Sequence, residues 1–397
     1  MPPLPVRTGF LAAALALAGG VTAAAWGLPR ALGARPDALR RATDAAPNSH
    51  DGVFRNTEPP TPLPPGTVRA ALRGIRARRA AGLPERPVPM ARPTFGAIAE
   101  LAVTWFGHSS VLLEIDGFRV LADPVWSERV SPSRRVGPRR LHPVPVGLAG
   151  LPPLDAIVIS HDHYDHLDLP TVRALVSDAR HANAPFVVPR GIGAHLRAWD
   201  VPEERIVELD WEGEARIGEL RLVCAEARHF SGRRLRRDTT LWSSWVVAGP
   251  RHRAYFGGDT GYTAAFARAG ERHGPFDVTL LPIGAYADLW PDIHMNPEES
   301  VRAHGDLRGG VLLPVHWATF NLAFHPWSEP LTRLRAAAES AGIPLALPLP
   351  GQRIDLAERL PERDWWAEAD GTADGSPPSG DHSVTYRRVP PGAPSHP

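Results

Sequence analysis

The chain has 397 residues, 43% of them hydrophobic, which is enough to bury a substantial core and predicts a globular protein. Its 44 Lys and Arg residues balance 43 Asp and Glu residues, so the formal net charge of +1 gives no general attraction to nucleic acid. The single cysteine, Cys224, excludes an internal disulfide and a cysteine-rich zinc site, so a metal would have to be bound by histidine and carboxylate side chains.

The first thirty residues predict a membrane-directed segment. Arg7 precedes an uncharged run at residues 8–27 that is rich in Ala, Leu and Gly and has about the length that spans a bilayer. The AAA stretch at residues 23–25 suits a signal peptidase, but the arginines just beyond it oppose translocation. We therefore expect residues 1–30 to be a signal-anchor or a signal peptide that makes the protein membrane-associated. The side of the membrane stays open, the cytoplasmic face included, and a soluble Ala-rich helix is the alternative interpretation.

Composition divides the rest of the chain into three parts. Residues 31–93 are rich in Pro, Arg and Ala and include a proline-rich stretch at 59–65, which favours extended backbone and predicts an arm or linker. Residues 94–365 alternate apolar runs with turns and predict the folded domain. Residues 366–397 contain Gly, Ser, Pro and few apolar residues, so we expect a disordered tail.

Short β-like runs alternate with helical stretches through the folded domain, which predicts a layered α/β fold. The meander around Gly117 favours mixed sheets over a wholly parallel sheet. Asp168 and Pro170 predict a helix start, as the N-cap and a first-turn residue, and Trp242 and Trp245 are expected in the core. The predicted strands are 102–105, 110–115, 118–121, 156–160, 185–188, 220–225, 241–247, 254–256, 278–282 and 311–315, and the predicted helices are 170–177, 191–199, 263–270, 297–304 and 330–341.

The motif HDHYDH at residues 161–166 follows the apolar strand at 156–160 and carries four side chains that can bind zinc. Imidazole and carboxylate groups are suitable zinc ligands, and a sharp loop after a strand can direct alternate side chains toward two adjacent points. We expect His161 and His163 to serve one metal ion and Asp165 and His166 to serve its neighbour. A surface cluster of histidines is the alternative.

Three further candidate ligands also follow predicted strands. His229 follows the run 220–228, Asp259 lies in GGDTGY after the strand at 254–256, and His316 follows the strand at 311–315. Each alone indicates little, but together they complete two metal sites at the rim where strands deliver their side chains. Asp259 is expected to bridge the two ions, because a carboxylate can contact both and the preceding Gly257 and Gly258 let the backbone approach closely.

Several segments resemble the metallo-β-lactamase superfamily, and within it most closely the branch of phospholipases D that hydrolyse N-acyl-phosphatidylethanolamine. The resemblance runs from about residue 103 to about residue 350. It is carried by WFGHSSVLLEIDG, LADPVWSERVSPS, LPPLDAIVISHDHYDHLD, ARHFSGR, FGGDTGY, HMNPEESV and PVHWATFNLAFHPWSEPL.

The resemblance implies an αββα sandwich, in which two mixed sheets are flanked by helices and two Zn²⁺ ions lie at the rim. It also assigns the seven candidate ligands. His161, His163 and His229 would bind the first zinc, Asp165, His166 and His316 would bind the second, and Asp259 would bridge them.

Residues around these ligands carry expected supporting roles. Asp123 in LADP is the candidate that orients a ligating histidine, with turn capping as the alternative. Asp165 is expected to orient the nucleophile and pass a proton to the leaving oxygen. The resemblance places His294 of HMNPEESV near the site, where it would contact phosphate or the leaving group unless it is structural. His108 in FGHSS has either a supporting role at the rim or a packing role.

The expected reaction is hydrolysis of a phosphodiester by hydroxide that two zinc ions activate. The branch resemblance and the N-terminal segment favour a phospholipid substrate, cleaved to N-acylethanolamine and phosphatidic acid. The same chemistry fits a lactonase or another ester or amide hydrolase. A non-catalytic zinc-binding membrane protein is less favoured, because a structural zinc usually has one closed four-ligand site. No nucleic-acid partner is expected.

Overall fold

The computed structural model describes residues 30–44, 46–63, 66, 81–361 and 363–371. The apolar run predicted at residues 8–27 and the predicted tail beyond residue 371 lie outside these ranges. Within them, no helix is both long enough and apolar enough to cross a bilayer.

Two mixed sheets form the framework, together with seven α-helices in the described ranges. The helices are α1 (Pro36–Asp44), α2 (Leu169–Ser177), α3 (Ile192–Ala198), α4 (Ala265–His273), α5 (Pro297–Asp306), α6 (Glu329–Ala341) and α7 (Trp365–Ala369). The strands are β1 (Ser49–His50), β2 (Val53–Phe54), β3 (Leu101–Trp105), β4 (Val111–Ile115), β5 (Phe118–Ala122), β6 (Ala156–Val158), β7 (Phe186–Pro189), β8 (Ile206–Leu209), β9 (Glu214–Ile217), β10 (Leu220–Ala225), β11 (Ser244–Ala248), β12 (Arg253–Phe256), β13 (Phe276–Pro282), β14 (Gly309–Val315) and β15 (Arg353–Asp355).

Each large sheet has an antiparallel half and a parallel half. The first has the order β15-β3-β4-β5-β6-β7-β8, antiparallel as far as β5 and parallel beyond it. The second has the order β14-β13-β12-β11-β10-β9, parallel as far as β12 and antiparallel beyond it. Parallel neighbours need crossover connections, and α2, α3, α4 and α5 occupy four of them.

Alternate residues of the strands face two different layers. In β4, Val111, Leu113 and Ile115 belong to the core shared with the second sheet, whereas Leu112 packs with residues of α2 and α3. Because both faces are covered, every residue of β4 is buried, including Glu114, which pairs with Arg119 and Arg353. Helices α4, α5 and α6 likewise contribute buried residues to the core of the second sheet. This layering confirms the predicted αββα sandwich.

All the predicted strands and helices form, with some ends shifted, and several elements are additional. Strand β9 was not predicted because its residues Glu214–Ile217 alternate between exposed and half-buried and include two charged side chains, as is common at a sheet edge. Asp168 does precede α2 in the N-cap position. Its carboxylate, however, accepts hydrogen bonds from Ser127 and from the Thr171 hydroxyl rather than capping the first backbone N–H groups.

The described part of the segment expected to be an arm or linker packs against the sandwich. Leu39 of α1 is buried beside Ala194 of α3, and Phe54 of β2 is buried in a cluster with Trp242. Burying such side chains removes apolar surface from water, which holds the segment against the domain. Residues 36–54 are therefore an added layer of the fold rather than a free linker.

The boundary expected at residue 365 falls inside α7. Trp365 and Trp366 are both buried, and the Trp365 ring lies 5.1 Å from that of Trp317 and 6.5 Å from that of Trp105. Burying these two large aromatic side chains removes apolar surface from water, and the chain stays packed through Ala369.

Candidate metal centre

The seven candidate ligands converge at one edge of the sandwich. Strands β10, β12 and β14 run in the same direction, so their carboxyl ends share an edge of the second sheet. The loop after β6 of the first sheet lies against this edge, as the distance of 3.9 Å between His161 Nε2 and Asp259 Oδ2 shows. Loops at strand ends therefore bring together residues that lie far apart in the sequence.

Three histidines form the first cluster. The Nδ1 atom of His163 lies 2.8 Å from Nε2 of His161 and 3.3 Å from Nε2 of His229. The ligand atoms of the three rings all lie within 4.8 Å of one another. Three imidazole nitrogens aimed at one point are typical of a site for zinc or a similar divalent metal.

Asp165, His166 and His316 form the second cluster. The Oδ2 atom of Asp165 lies 3.6 Å from Nε2 of His166 and 3.6 Å from Nε2 of His316. His108 lies against the same group, with Nε2 at 2.9 Å from Asp165 Oδ2. The two residues from the HDHYDH motif thus meet a histidine that β14 supplies.

Asp259 lies between the two clusters. Its Oδ2 atom lies 2.9 Å from Nε2 of His316 and 3.1 Å from Nε2 of His166 in the second cluster. The same oxygen lies 3.9 Å from Nε2 of His161 and 4.0 Å from Nε2 of His229 in the first cluster. One carboxylate oxygen therefore faces both groups, which is the position that a bridging ligand requires.

The backbone around these ligands accepts unusual conformations. Gly258, just before Asp259, has a φ of +59°, and a Cβ atom there would lie 2.5 Å from Cβ of Ser160. His316 also has a positive φ, +60°, which is uncommon for a residue with a side chain. The close approach at Gly258 brings the Asp259 loop against the loop after β6.

Hydrogen bonds from behind fix the orientation of the imidazole rings. His166 Nδ1 lies 2.7 Å from Oδ2 of Asp123, whose carboxylate also accepts bonds from the Ser160 backbone and hydroxyl. His229 Nδ1 lies 2.9 Å from the Ile293 carbonyl oxygen. Such partners hold Nε2 of each ring toward the centre. Asp123 thus contacts His166 in the way expected of a carboxylate that orients a ligating histidine.

Several buried polar atoms of the clusters lack a hydrogen-bond partner within the described chain. They include Oδ1 of Asp259, together with Nε2 of His166 and Nε2 of His316, which lie near Asp259 Oδ2 but without hydrogen-bond geometry. Leaving buried polar atoms unpaired is costly, so such atoms call for a partner that the protein itself does not provide. A set of nitrogen and carboxylate donors fits a divalent metal ion in that place.

Burial keeps the first cluster neutral. Burial and the neighbouring histidines lower the pKa of His161 well below its ordinary value, and burial lowers the pKa of His163. Burial also lowers the pKa of His229 well below its ordinary value, even though the Asp259 carboxylate opposes the shift. The three rings therefore offer lone pairs at neutral pH without first losing a proton.

The second cluster has the opposite balance. Burial alone would lower the pKa of His316, but the carboxylates of Asp259 and Asp165 raise it to about 9. The same carboxylates and Asp123 outweigh burial at His166 and raise its pKa well above the ordinary value. In the absence of a metal, protons on these two histidines balance the buried carboxylate charge, and a cation would replace them.

The centre opens toward solvent on the side of Asp165 and His294. Their side chains are 15% and 14% exposed, whereas those of His166 and His316 are fully buried. The His294 ring stacks on His316 at 4.9 Å, and its unpaired Nδ1 atom lies 3.8 Å from Asp259 Oδ2. The structure thus places His294 at the mouth of the centre.

Sequence reasoning missed three residues that support the ligands. Asn56 Oδ1 accepts from the His229 N–H at 3.1 Å, and Asn56 Nδ2 donates to the His229 carbonyl at 2.8 Å. Asp162 Oδ1 accepts from the Gly232 N–H at 2.9 Å, and its Oδ2 atom lies 3.6 Å from Nε2 of His195. Asp162 lies inside the HDHYDH motif, but no pattern in the sequence linked Asn56 or His195 to that motif.

The tryptophans near the site are mostly core residues. Trp242 and Trp245 are buried, as predicted, and so are Trp317 and Trp327. Trp290, which precedes His294 in the chain, is half-buried.

The part of the chain that contains the two clusters is similar to known proteins. Residues 118–317, half of the chain, match the family profile described as β-lactamase superfamily domain, and this range contains both clusters. An uncharacterized protein of Mycobacterium tuberculosis is 57% identical over 347 residues, which cover 86% of this chain and 92% of that protein. N-acyl-phosphatidylethanolamine-hydrolyzing phospholipase D 1 of Caenorhabditis elegans is 36% identical over 237 residues, which cover 57% of this chain and 66% of the worm protein.

Among solved structures, an isothiocyanate hydrolase from Delia radicum gut bacteria shares the fold. The two structures align with a TM-score of 0.52 at 20% sequence identity, covering 64% of this chain and 98% of that chain. At this level of identity the likeness concerns the architecture only.

Proposed function

The chain belongs to the β-lactamase superfamily of metal-dependent hydrolases, and we propose that it is a dinuclear zinc phosphodiesterase that cleaves a phospholipid. The proposed substrate is of the N-acyl-phosphatidylethanolamine type, and the products are N-acylethanolamine and phosphatidic acid. The observation that carries the proposal is the position of Asp259 Oδ2, which faces histidines of both clusters at 2.9–4.0 Å. Two sites joined by one carboxylate suit a phosphodiester held between two cations.

The donor set favours zinc. Five imidazoles and two carboxylates, with no thiolate, form the two clusters, and such ligands suit Zn²⁺ in an open catalytic site. Two zinc ions bound there would lower the pKa of water toward about 7 and polarise a phosphoryl oxygen.

Asp165 is the residue we assign to proton transfer. Its Oδ2 atom is held by His108 Nε2 at 2.9 Å, while its side chain keeps access to the open side of the centre. Burial would raise the pKa of Asp165, but the charge on His166 and the hydrogen bond from His108 hold it well below the ordinary value. An ionised carboxylate in this position can orient the attacking water, accept its proton and deliver it to the departing alcohol oxygen.

His294 is the residue we assign to substrate contact. Burial lowers its pKa to about 3, so the ring is neutral at physiological pH. A neutral imidazole carries one N–H donor and one acceptor nitrogen, and its location at the mouth suits a bond to a phosphoryl oxygen or to the leaving alcohol. A neutral donor stabilises developing negative charge without a permanent countercharge.

The shape of the centre suits a substrate whose acyl chains stay outside. The cavity beside His108 and His316 has a volume of about 20 Å³, with Phe320 and Trp327 among its lining residues. Such a space holds roughly one water molecule. A phosphodiester headgroup can reach the open side near Asp165, while the cavity beside His108 and His316 is too small for a long acyl chain. The name of the Caenorhabditis elegans relative supports the same substrate class.

A substrate panel tests the proposal. The zinc-loaded full chain would be incubated with N-acyl-phosphatidylethanolamine, with phosphatidylcholine and with a set of lactones, and the products identified by mass spectrometry. We expect N-acylethanolamine and phosphatidic acid from the first substrate, and we expect the Asp165→Asn variant to lose at least about a hundredfold in turnover. Turnover of lactones without phospholipid cleavage would instead identify a carbonyl hydrolase, and a metal-loaded chain without any turnover would indicate a non-catalytic metal protein.

A further inference from the structure

An exposed basic loop with an apolar tip follows Asp123. Its sequence, SRRVGPRR, occupies residues 133–140, and Val136 at its tip is 70% exposed. Arg134 and Arg135 are exposed beside it, and neither forms an ion pair with any carboxylate in the described ranges. Arg139 is exposed as well but pairs with Glu128. We call residues 133–139 the first basic loop.

A second loop of the same kind follows His229. Its sequence is RRLRR at residues 233–237, in which the Leu235 side chain at the tip is fully exposed, Arg236 and Arg237 are exposed beside it, and Arg233 is buried. Arg237 lies over the Phe230 ring at 3.8 Å, and that ring lies 4.4 Å from His163 of the first cluster. We call residues 233–237 the second basic loop. A single exposed leucine is ordinary on a protein surface, but an apolar tip between arginines fits a partner that offers both apolar and anionic groups.

Tyr164 places both loops on the same edge of the molecule. It belongs to the HDHYDH motif, and its hydroxyl donates to the Arg233 carbonyl at 3.0 Å while its ring lies 4.1 Å from the Arg233 guanidinium. The same ring packs against the cluster that contains Val125 and Val130, just before the first basic loop. The two loops therefore flank the edge that carries the metal centre.

The N-terminal part of the described chain reaches this edge too. Arg233 Nε donates to the Ala31 carbonyl at 3.0 Å, and Arg234 donates to the Gly33 carbonyl at 3.2 Å. The Trp199 indole N–H donates to the Arg30 carbonyl at 2.7 Å. Residue 30 thus lies beside the second basic loop, only a few residues after the apolar run at 8–27. A bilayer that held this run would lie next to the loop.

From these contacts we propose that the two basic loops form a docking surface for an anionic phospholipid bilayer and turn the metal centre toward it. Arginines attract anionic headgroups, and Val136 and Leu235 enter the boundary between headgroups and acyl chains. This docking surface rests on the proposed function, because a lipid phosphodiester could then reach the open side of the centre without leaving the membrane.

The same surface is less suited to nucleic acid. Single-stranded nucleic acid is usually bound by exposed aromatic rings interleaved with basic residues. The tips here carry Leu235 and Val136 instead, and Phe230 is covered by Arg237. The whole chain has a formal net charge of +1, so the basic character is confined to local patches.

A fluorescent label on the second loop tests the docking. The Leu235→Cys variant of the full chain can be labelled selectively with an environment-sensitive dye, because Cys224 is buried and burial raises its thiol pKa. The labelled protein would be mixed with vesicles of phosphatidylcholine alone or of phosphatidylcholine with phosphatidylglycerol. Both vesicles accept an apolar N-terminal segment, so only the loop response should depend on anionic lipid. A label at Arg251→Cys, in the exposed turn between β11 and β12, is the matched control.

We expect a severalfold rise in fluorescence at position 235 with anionic vesicles and little with neutral ones, and no rise at position 251. Raising the salt to about 1 M, where the Debye length is about 3 Å, should abolish it. The pair Arg134→Glu with Arg135→Glu should weaken the response at least about tenfold, since each arginine near an anionic surface contributes several-fold in affinity. The pair Arg216→Glu with Arg251→Glu makes the same change in net charge on other exposed residues and should leave it intact.

An equal response with neutral vesicles, no response with anionic vesicles, or tighter binding to single-stranded oligonucleotide than to anionic vesicles would overturn the docking surface. These measurements need no substrate turnover. Failure to cleave a phospholipid therefore counts against the proposed function alone, and failure of the label to respond counts against the docking surface alone.

Discussion

Asp259 is the residue whose charge matters most in the centre. Its Oδ2 atom faces histidines of both clusters, and its other carboxylate oxygen has no hydrogen-bond partner in the described chain. Burial would raise the pKa of Asp259, but the charge on His166 and on His316 lowers it well below the ordinary value, so the carboxylate is ionised. It can therefore offset part of the charge of two cations.

Changing Asp259 to Asn preserves the shape of the side chain but removes this charge. We expect turnover to fall at least about a hundredfold, and one metal to become easier to strip with a chelator. Metal content and turnover should be measured on the same sample. If Asp259 only caps the turn at Gly257 and Gly258, the variant will hold two ions tightly and keep near-normal activity, which would eliminate the bridging role.

The protonation of the second cluster predicts a pH dependence of metal binding. His316 has a pKa raised to about 9, so a metal must displace its proton at any lower pH, whereas His161 and His229 are already neutral. The affinity of the second site should therefore fall as the pH drops from 9 toward 6, by up to about tenfold per pH unit for each proton displaced. The first site should change much less. Chelator competition at several pH values measures both, and equal slopes for the two sites would contradict the assignment.

The raised pKa of His316 also affects the stability of the metal-free protein. A raised folded-state pKa means that the proton on His316 contributes stability that is fully present below its unfolded pKa, about 6.5. This contribution is lost as the pH rises through about 9. The metal-free fold should accordingly lose stability on the alkaline side of neutrality, where the metal-bound fold gains affinity.

At the scale of elements, the segment before the sandwich acts as a brace for the first cluster. Asn56 makes two hydrogen bonds to the backbone of His229, and its Oδ1 atom also accepts the Trp242 indole N–H at 3.0 Å. Phe54 anchors this segment in a buried cluster. The position of a candidate ligand thus depends on a residue far away in the sequence.

Removing this brace should weaken metal binding without destroying the fold. The Asn56→Ala variant leaves the His229 backbone groups unpaired, at a cost of about 1–3 kcal/mol, and we expect the affinity of the first site to fall about 10–100-fold. The Asn56→Asp variant keeps the acceptor and should recover part of the loss. Arg55→Ala, which removes an exposed pair with Asp51, is the matched control and should bind metal normally. Unchanged affinity in Asn56→Ala would refute the bracing role.

The sequence predicted the strands that carry the centre better than the elements that surround it. Runs such as Val111–Ile115 are apolar except for Glu114 because the strand is covered on both faces, and this signal is local. The packing of α1 and α7 depends on a few side chains, Leu39 and Trp365 among them, whose partners lie far away in the chain. Composition alone therefore suggested a linker at residues 36–54 and a tail from residue 366, although residues 36–54 and 366–369 are packed.

At the scale of the whole molecule, the candidate site could be predicted mainly because one short motif contains most of its ligands. HDHYDH places four candidate ligands in six residues, and the strand ends supplied the remaining candidates. The supports of those ligands were not predictable in the same way. Asp162 and His195 lie close together only because α3 packs behind the loop, and the Ile293 carbonyl has no side-chain signal at all.

The central claim is that two metal ions occupy the two clusters, and metal analysis of the purified, zinc-reconstituted full chain tests it most directly. We predict about two zinc ions per chain, and about one in the His163→Ala variant together with loss of hydrolysis, because that change removes a ligand of the first cluster. His252→Ala, which alters a histidine bound to Asp116 away from the centre, should keep about two ions. A native stoichiometry near zero, or full metal content and full activity in His163→Ala, would contradict the account.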